Sequence, residues 1–364
     1  ANTGWLINGP TKTIGKIGQA LKFGSASVAY DNSAYDYNGS SASPQDATFT
    51  IGANTNRVLL VYVKFNLGSG SIGTVSATWD QGGTNQAMTQ INATNNFNTD
   101  VYHVLFGLIA PTTGTKTLRV SWTGAGAHQS AGLISLYNAD QTTAWSNSGT
   151  ETSAEATMTI TVTTAAGDMA IANGTNDGNG TLAQTLGSNA GLDNGGVFHS
   201  VAGYRLATGA STVLEFTDSG SRPNTQIWVR VRQAPPYVDM ANVGSGNKTI
   251  SFWMRTNDVT SKKIINIDGT DQIETNSSDQ VIATSFPAAT VYVDGAQASL
   301  VKDSTWHHVV ITDTTGVNAS TFQVGTVSGS SFDGLIDDVR IYNRALSPDE
   351  IKRLYTIGGT LKVN

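Results

Sequence analysis

The sequence predicts an all-β protein built from antiparallel sandwiches, and three observations carry that prediction. Apolar residues recur mostly with period two, as in Thr159-Ile160-Thr161-Val162-Thr163 and Gln226-Ile227-Trp228-Val229-Arg230-Val231. This alternation puts one face of a strand in a core and the other in water. Clusters of Gly, Asn, Ser, Thr and Asp punctuate the chain roughly every ten residues, the spacing of short strands and turns. Charged residues make up only 13% of the chain, about half the usual share of a globular domain. Ser and Thr therefore serve the wet faces, where Thr also suits a pleated strand.

The same composition excludes several function classes. The 364 residues carry 21 Lys plus Arg against 27 Asp plus Glu, a formal charge of −6. No basic stripe stands out, and phosphate backbones need clustered Lys and Arg, so no nucleic-acid partner is expected. The longest apolar runs resemble Val58-Leu59-Leu60-Val61-Tyr62-Val63, far short of the roughly 20 residues that cross a bilayer. No membrane span is expected in this chain. With no cysteine, neither a disulfide frame nor thiol chemistry is available. Ala1 stands where an initiator Met would, as in a processed or trimmed chain, which leaves room for a removed export signal.

Taken in order, a strand is expected over Gly15-Lys16-Ile17-Gly18-Gln19-Ala20-Leu21-Lys22-Phe23. Further strands are expected at Arg57–Phe65, Val75–Trp79, Tyr102–Ile109, Lys116–Trp122, Gly132–Tyr137, Thr157–Thr163 and Ile227–Val231. After Pro235-Pro236, which stiffen a crossing, come Tyr237-Val238-Asp239-Met240 and Lys248-Thr249-Ile250-Ser251-Phe252-Trp253. Thr290-Val291-Tyr292-Val293 runs into an Asp294-Gly295 turn, and Ser304-Thr305-Trp306-His307-His308-Val309-Val310 follows. A single segment reads as helix, from Ser347 to Tyr355. Ser347 caps it, Pro348 suits the first helical position and Glu350 completes a capping box. Ile351, Leu354 and Tyr355 share the face that would lie on a sheet, and Gly358 is expected to stop the helix.

The run FDGLIDDVRIYNRALSPDEIKRLY, Phe332 to Tyr355, resembles the end of the laminin-G-like (concanavalin A-like) jelly-roll family. GKIGQALKF, KTISFW and STWHHVV are similar to motifs of the same family. In that family the GKIGQALKF strand is soon followed by one like Tyr237–Met240, whereas about 210 residues intervene here. The resemblance therefore implies a discontinuous laminin-G-like sandwich made of residues 1–25 and 235–364, interrupted by an inserted all-β, jelly-roll-like sandwich at 26–234. Exposed loop tips tolerate such insertions when the ends of the insert lie close together. The family's opening strand is missing ahead of Asn2–Pro10. That leaves a sheet edge to be covered, by Asn2–Asn8, by the insert, or by self-association with a strand of a second copy.

Candidate chemistry is sparse. Some concanavalin A-like relatives are glycoside hydrolases, yet this chain has only five glutamates: Glu151, Glu155, Glu215, Glu274 and Glu350. No clustered acid motif joins them. Glu151 and Glu155 on one strand would stand about 13 Å apart, beyond the roughly 5–9.5 Å of glycosidase acid pairs. His307 and His308 are adjacent on a strand and point to opposite faces, so they cannot hold one metal; one core ring and one surface ring are expected. His103, His128 and His199 are scattered. Gly178-Asn179-Gly180-Thr181-Leu182-Ala183 matches a dinucleotide fingerprint formally, but no helix signal follows and the segment reads as a loop. In relatives the first acid of a D-x-V-R-x-Y run often helps bind Ca²⁺, which would make Asp337 the metal-ligand candidate and Ca²⁺ the cofactor. A bland alternative for Asp337 is an acid satisfied by backbone donors or by Arg340. Trp5 and Trp145, in polar surroundings, are candidate sugar platforms, while Trp253 and Trp306 suit a core.

These readings converge on a non-catalytic extracellular or cell-surface protein, an adhesive or structural subunit of the envelope or filament type that could self-assemble. A glycan-binding, lectin-like module is the alternative, and a glycoside hydrolase a more distant one.

Overall fold

The computed structural model describes residues 5–7, 11–17, 19–23, 26–37, 42–95, 101–153, 155–176, 182–189, 200–220, 224–234, 236–327 and 330–360. Its contacts divide the chain into two compact units, Ala1–Ala26 with Pro235–Asn364, and Ser27–Ala234. Among the described residues both are all-β, apart from one helix at the end of the first.

The discontinuous unit is a two-sheet sandwich. Its front sheet runs Trp5–Ile7, Tyr237–Asp239, Gln323–Val324, Lys263–Asn266, Gln272–Thr275, Val281–Thr284. Its back sheet runs Thr11–Ile14, Gln19–Phe23, Gly334–Tyr342, Gly244–Arg255, His307–Ala319, Ala289–Val293. Phe23, Ile250, Phe252, Met254, Val309 and Ile311 of the back sheet meet Val238, Ile265, Ile273 and Val324 of the front sheet in one core. Alternation does the work: Ile250, Phe252 and Met254 face in, so Ser251 and Trp253 face out. The N-terminal strand Trp5–Ile7 pairs antiparallel with Tyr237–Asp239, so part of the 2–8 segment covers a sheet edge from within the chain.

The Pro348–Thr360 helix lies on the outer face of the back sheet. Ile351 and Leu346 pack with Tyr292 and Val310. The capping box forms as its sequence requires: Ser347 Oγ accepts the Glu350 N–H at 3.3 Å, and Glu350 Oε2 accepts the Ser347 N–H at 2.9 Å. Arg344 holds the same carboxylate through two 2.8 Å bonds. The helix does not stop at Gly358 but continues to Thr360. The glycine serves close packing instead, since a Cβ there would stand 2.7 Å from the Trp253 ring.

The inserted unit differs from the strand list in an instructive way. Arg57–Phe65 and Val75–Trp79 belong to one strand, Val58–Trp79. Lys116–Trp122 and Gly132–Tyr137 likewise belong to Gly114–Tyr137. The two long strands pair with each other along their length, with register shifts at Trp122/Gly124, Ala125/Ala127 and Ala127/Gln129. Their glycine-rich middles look like turns in the sequence but are bends in a continuous ladder. Gly124 has φ +97°, and a Cβ there would come within 2.3 Å of Ser71 O. Only glycine fits that crossing.

Residues Val58 to Phe65 are buried on both faces. Leu59, Val61 and Val63 join one core with Leu118, Val120, Phe49 and Trp79. Val58, Leu60 and Tyr62 join a second with Ile171, Ile227 and Val229 of the next sheet. A third core, of Ile160, Val162, Ala172, Leu214 and Phe216, lies beyond that sheet. The sheet between the last two cores is built on Met169–Asn176, wholly buried and paired on both sides.

Candidate functional site

The front sheet of the discontinuous unit carries the most organised polar surface among the described residues. Strand register sets it. Val238 opposes Val324, Val324 opposes Ile265, Ile265 opposes Ile273 and Ile273 opposes Ala283, an apolar row that lies in or against the core. One residue along, the row reads Asp239, Gln323, Asn266, Gln272 and Thr284. Because neighbours along a strand point to opposite faces, this second row is turned away from the core. Trp5 opposes Asp239 at its end, although its side chain lies outside the described residues.

Local bonds hold part of this row in place. Asn266 Nδ2 donates to Gln323 Oε1 at 3.1 Å, and Asn266 Oδ1 accepts the Gly269 N–H at 2.8 Å. Gln272 Nε2 donates to Gly269 O at 3.2 Å, and Asp239 Oδ1 accepts the Ala241 N–H at 2.8 Å. Beside the row, Glu274 accepts from Thr284 Oγ1 at 2.7 Å and pairs with Lys263. Gln323 Nε2, Gln272 Oε1 and Asp239 Oδ2 keep no partner among the described residues. The arrangement can donate to and accept from a line of hydroxyls spaced along it, strand by strand, at about 4.8 Å.

Asp337 serves a different purpose. Its Oδ2 accepts the Ile17 N–H at 2.6 Å and its Oδ1 the Asp338 N–H at 2.8 Å. Gly15 lies so close that a Cβ would stand 2.5 Å from Oδ2. The carboxylate thus clasps the turn between Thr11–Ile14 and Gln19–Phe23. Burial raises its pKa, and the N–H donors of Ile17, Asp338 and Lys16 oppose that rise. Arg340 pairs with Asp338 at 2.8 Å rather than with Asp337. Calcium asks for about six to eight oxygen ligands, and no group of three or more His, Asp or Glu among the described residues could hold a metal. The bonds that the Asp337 carboxylate makes here come from backbone N–H donors.

The other singled-out residues disperse. His307 and His308 are both buried, which corrects the expectation of one surface ring. His307 pairs with Asp294 at 2.8 Å and accepts the Lys302 N–H at 2.9 Å. His308 bonds Ser251 at 2.9 Å, lies tilted against Trp253 and stacks with Tyr355 beneath the helix. Trp253 is buried there, Trp306 is half-buried, and Trp145 packs against an apolar core rather than offering an open platform. Glu151 lies on Trp145–Ser153, which ends before Glu155. Residues 178–181, His199 and the His128 side chain lie outside the described residues; Leu182 and Ala183 begin a strand.

His103 is fully buried in the inserted unit. Burial first, then the Lys64 ammonium, push its imidazole down to about 3, while the Asn173 side chain pulls the other way. No hydrogen bond of normal geometry joins either ring nitrogen to a partner.

The front-sheet row was missed in the sequence because its members are ordinary amides and hydroxyls on short strands. The alternation in Ile265-Asn266 and Gln272-Ile273-Glu274 marks them as outward-facing. Only register reveals that they align.

Residues 312–352 match the family model described as the Concanavalin A-like lectin/glucanases superfamily, of laminin-G type. The match runs from the middle of the His307–Ala319 strand through Gly334–Tyr342 into the helix. This part of the discontinuous unit is a laminin-G-like segment in an all-β sandwich. Among curated proteins, no sequence matches the chain. No helix among the described residues is long and apolar enough to cross a membrane.

Proposed function

We propose that the protein is a non-catalytic adhesive protein of the cell surface or extracellular space, and that its discontinuous unit contacts glycans across the front sheet. The observation that carries this reading is the aligned row Asp239, Gln323, Asn266, Gln272 and Thr284. Amide, hydroxyl and carboxylate groups on a rigid sheet suit sugar hydroxyls, which both donate and accept. The laminin-G-like segment supports it by analogy of fold. The glutamates speak for a non-catalytic role. Glu350 caps a helix, Glu274 is engaged by Lys263 and Thr284, and Glu215 accepts from Thr185 at 2.7 Å.

The test is a glycan array probed with the protein and with a Gln272→Ala/Gln323→Ala double variant. Binding to one glycan class, lost in the variant at unchanged melting temperature, is the expected result. An empty array, or binding that the double variant keeps, refutes the reading.

Self-association is a second reading with an observation of its own. Thr11–Ile14 is the outer strand of the back sheet, and its Ile14 is 75% exposed. An open strand edge with an apolar side chain can accept a strand of a second copy.

A further inference from the structure

A cavity of about 270 Å³ opens on the back sheet of the discontinuous unit, away from the front-sheet row. Its floor is a cross-strand row: Lys22 opposes Leu335, and Leu335 opposes Arg255. Directly opposed residues share a face, so Lys22 and Arg255 rise on the same side, about 10 Å apart at their Cα atoms, with Leu335 between them. Thr13, Asn257 and Asp333 complete the wall.

The donors around this space outnumber their partners. Arg255 Nε donates to Ser304 O at 3.0 Å, which fixes the guanidinium plane. Its terminal nitrogens, and the Lys22 ammonium, find no acceptor among the described residues. Asn257 uses its Oδ1 to accept from Ser304 Oγ at 3.3 Å, so its amide N–H groups remain available. Thr256 is spent internally, donating to Asp333 O at 2.6 Å. Two cations and one carboxylate leave a net positive wall. The Asp333 carboxylate can still accept from a hydroxyl. The volume falls just below the roughly 300–1,000 Å³ of ordinary ligand pockets, enough for one small ring.

We propose that this cavity binds a single anionic sugar residue of the uronate type, its carboxylate between Lys22 and Arg255 and its hydroxyls toward Asp333, Asn257 and Thr13. A guanidinium fork and an ammonium on one face recognise a carboxylate. The lone carboxylate in the same wall selects against a bare anion and for one that also carries hydroxyls. The sugar rests on the glycan reading above; the charge selectivity rests on the cavity alone.

Titration calorimetry of the full chain tests this with three probes: a polyuronate oligosaccharide, the same oligosaccharide with its carboxylates reduced to alcohols, and inorganic sulfate. The protein binds the polyuronate about tenfold or more tighter than the reduced form. Lys22→Gln and Arg255→Gln each remove that preference, whereas Lys22→Arg keeps it. Both side chains are exposed, so the variants keep the wild-type melting temperature. Equal affinity for charged and reduced oligosaccharide, or a preference that survives both Gln variants, overturns the proposal. Sulfate binding as tight as the polyuronate overturns its sugar part. Loss of all oligosaccharide binding on Gln272→Ala/Gln323→Ala would place the contact on the front sheet and also overturn it. A polyuronate preference that this double variant leaves intact refutes only the front-sheet reading.

Discussion

Replacing His103 with Phe should make the inserted unit less sensitive to acid. The imidazole is fully buried, opposite Lys64 on the neighbouring strand, with its ring against Tyr62 and within reach of the Asn173 side chain. Burial and the Lys64 ammonium both disfavour a second positive charge there. The folded state therefore keeps the ring neutral down to about 3, while the unfolded chain takes up a proton near 6.5. Stability rises with pH wherever the unfolded state binds more protons. The contribution is thus intact above 6.5 and is lost as pH falls toward 3. Each pH unit costs about 1.4 kcal/mol, so the step from pH 7.5 to 4.5 costs about 2.7 kcal/mol. Phe preserves the ring contact with Tyr62, whose centroid lies 6.0 Å away, and does not titrate. Guanidinium unfolding of both proteins at the two pH values, followed by tryptophan emission, gives the double difference. His308 in the other unit is also held down, to about 4, but it is common to both proteins and cancels. Equal loss of stability on acidification in wild type and His103→Phe would refute the reasoning.

Asp337→Ala should cost about 1.5–3 kcal/mol by releasing the N–H groups of Ile17 and Asp338, with the same melting temperature in Ca²⁺ and in chelator. A chelator effect in wild type that vanishes in the variant would instead assign Ca²⁺ to Asp337. Gly358→Ala should destabilise by about 1–3 kcal/mol through overpacking against Trp253, and thermal melting reads it. Ser347→Ala should lose about 1 kcal/mol of helix capping, measured the same way. Excising 27–234 and bridging with a short Gly/Ser loop should leave a cooperative unfolding transition, because Phe23 shares its core with residues from Val238 onward. Light scattering across a range of concentrations should show association that Ile14→Asp abolishes; a strictly monomeric wild type ends that reading.

The legible parts of the fold were those whose signals are local. The capping box around Ser347 and Glu350, and the alternation of Ile250, Phe252 and Met254, depend on neighbours a few residues apart. The Met169–Asn176 strand gave no such signal. Its Ala, Asn and Gly residues have low strand propensity, and it forms because sheets on both faces bury it completely. The strands on either side of Gly73 and of Gly124 were expected as separate elements, because a glycine permits a turn or a bend and the partner strand decides. Of the candidate site, Asp337 was visible as a residue, and its carboxylate accepts the backbone N–H groups of Ile17 and Asp338. The front-sheet row and the Lys22–Arg255 cavity required registers between strands far apart in the chain, one of them on the other side of the 27–234 insertion.

The low charge of the sequence acquires a physical meaning once its few charges are located. Asp80, Asp140, Asp168, Asp218, Asp313 and Asp337 are all buried. Several of them clasp turns and strand ends. Asp168 takes N–H groups from Ala165 and Gln233 and pairs with Arg230 at 2.6 Å, and Asp313 takes those of Ala288, Thr315 and Gly316. A carboxylate that accepts two or three backbone donors fixes a loop that would otherwise need a longer apolar core. Charge used in this way is removed from the surface. The front-sheet row is then mostly hydroxyl and amide, with Asp239 its one carboxylate, so contacts to neutral hydroxyl-rich ligands there depend little on salt. Against that background the Lys22 ammonium and the terminal nitrogens of Arg255, set on one face without an acceptor among the described residues, are not part of the structural use of charge. Their salt dependence is therefore diagnostic. Binding through the front-sheet row should hold as ionic strength rises, and binding through Lys22 and Arg255 should weaken.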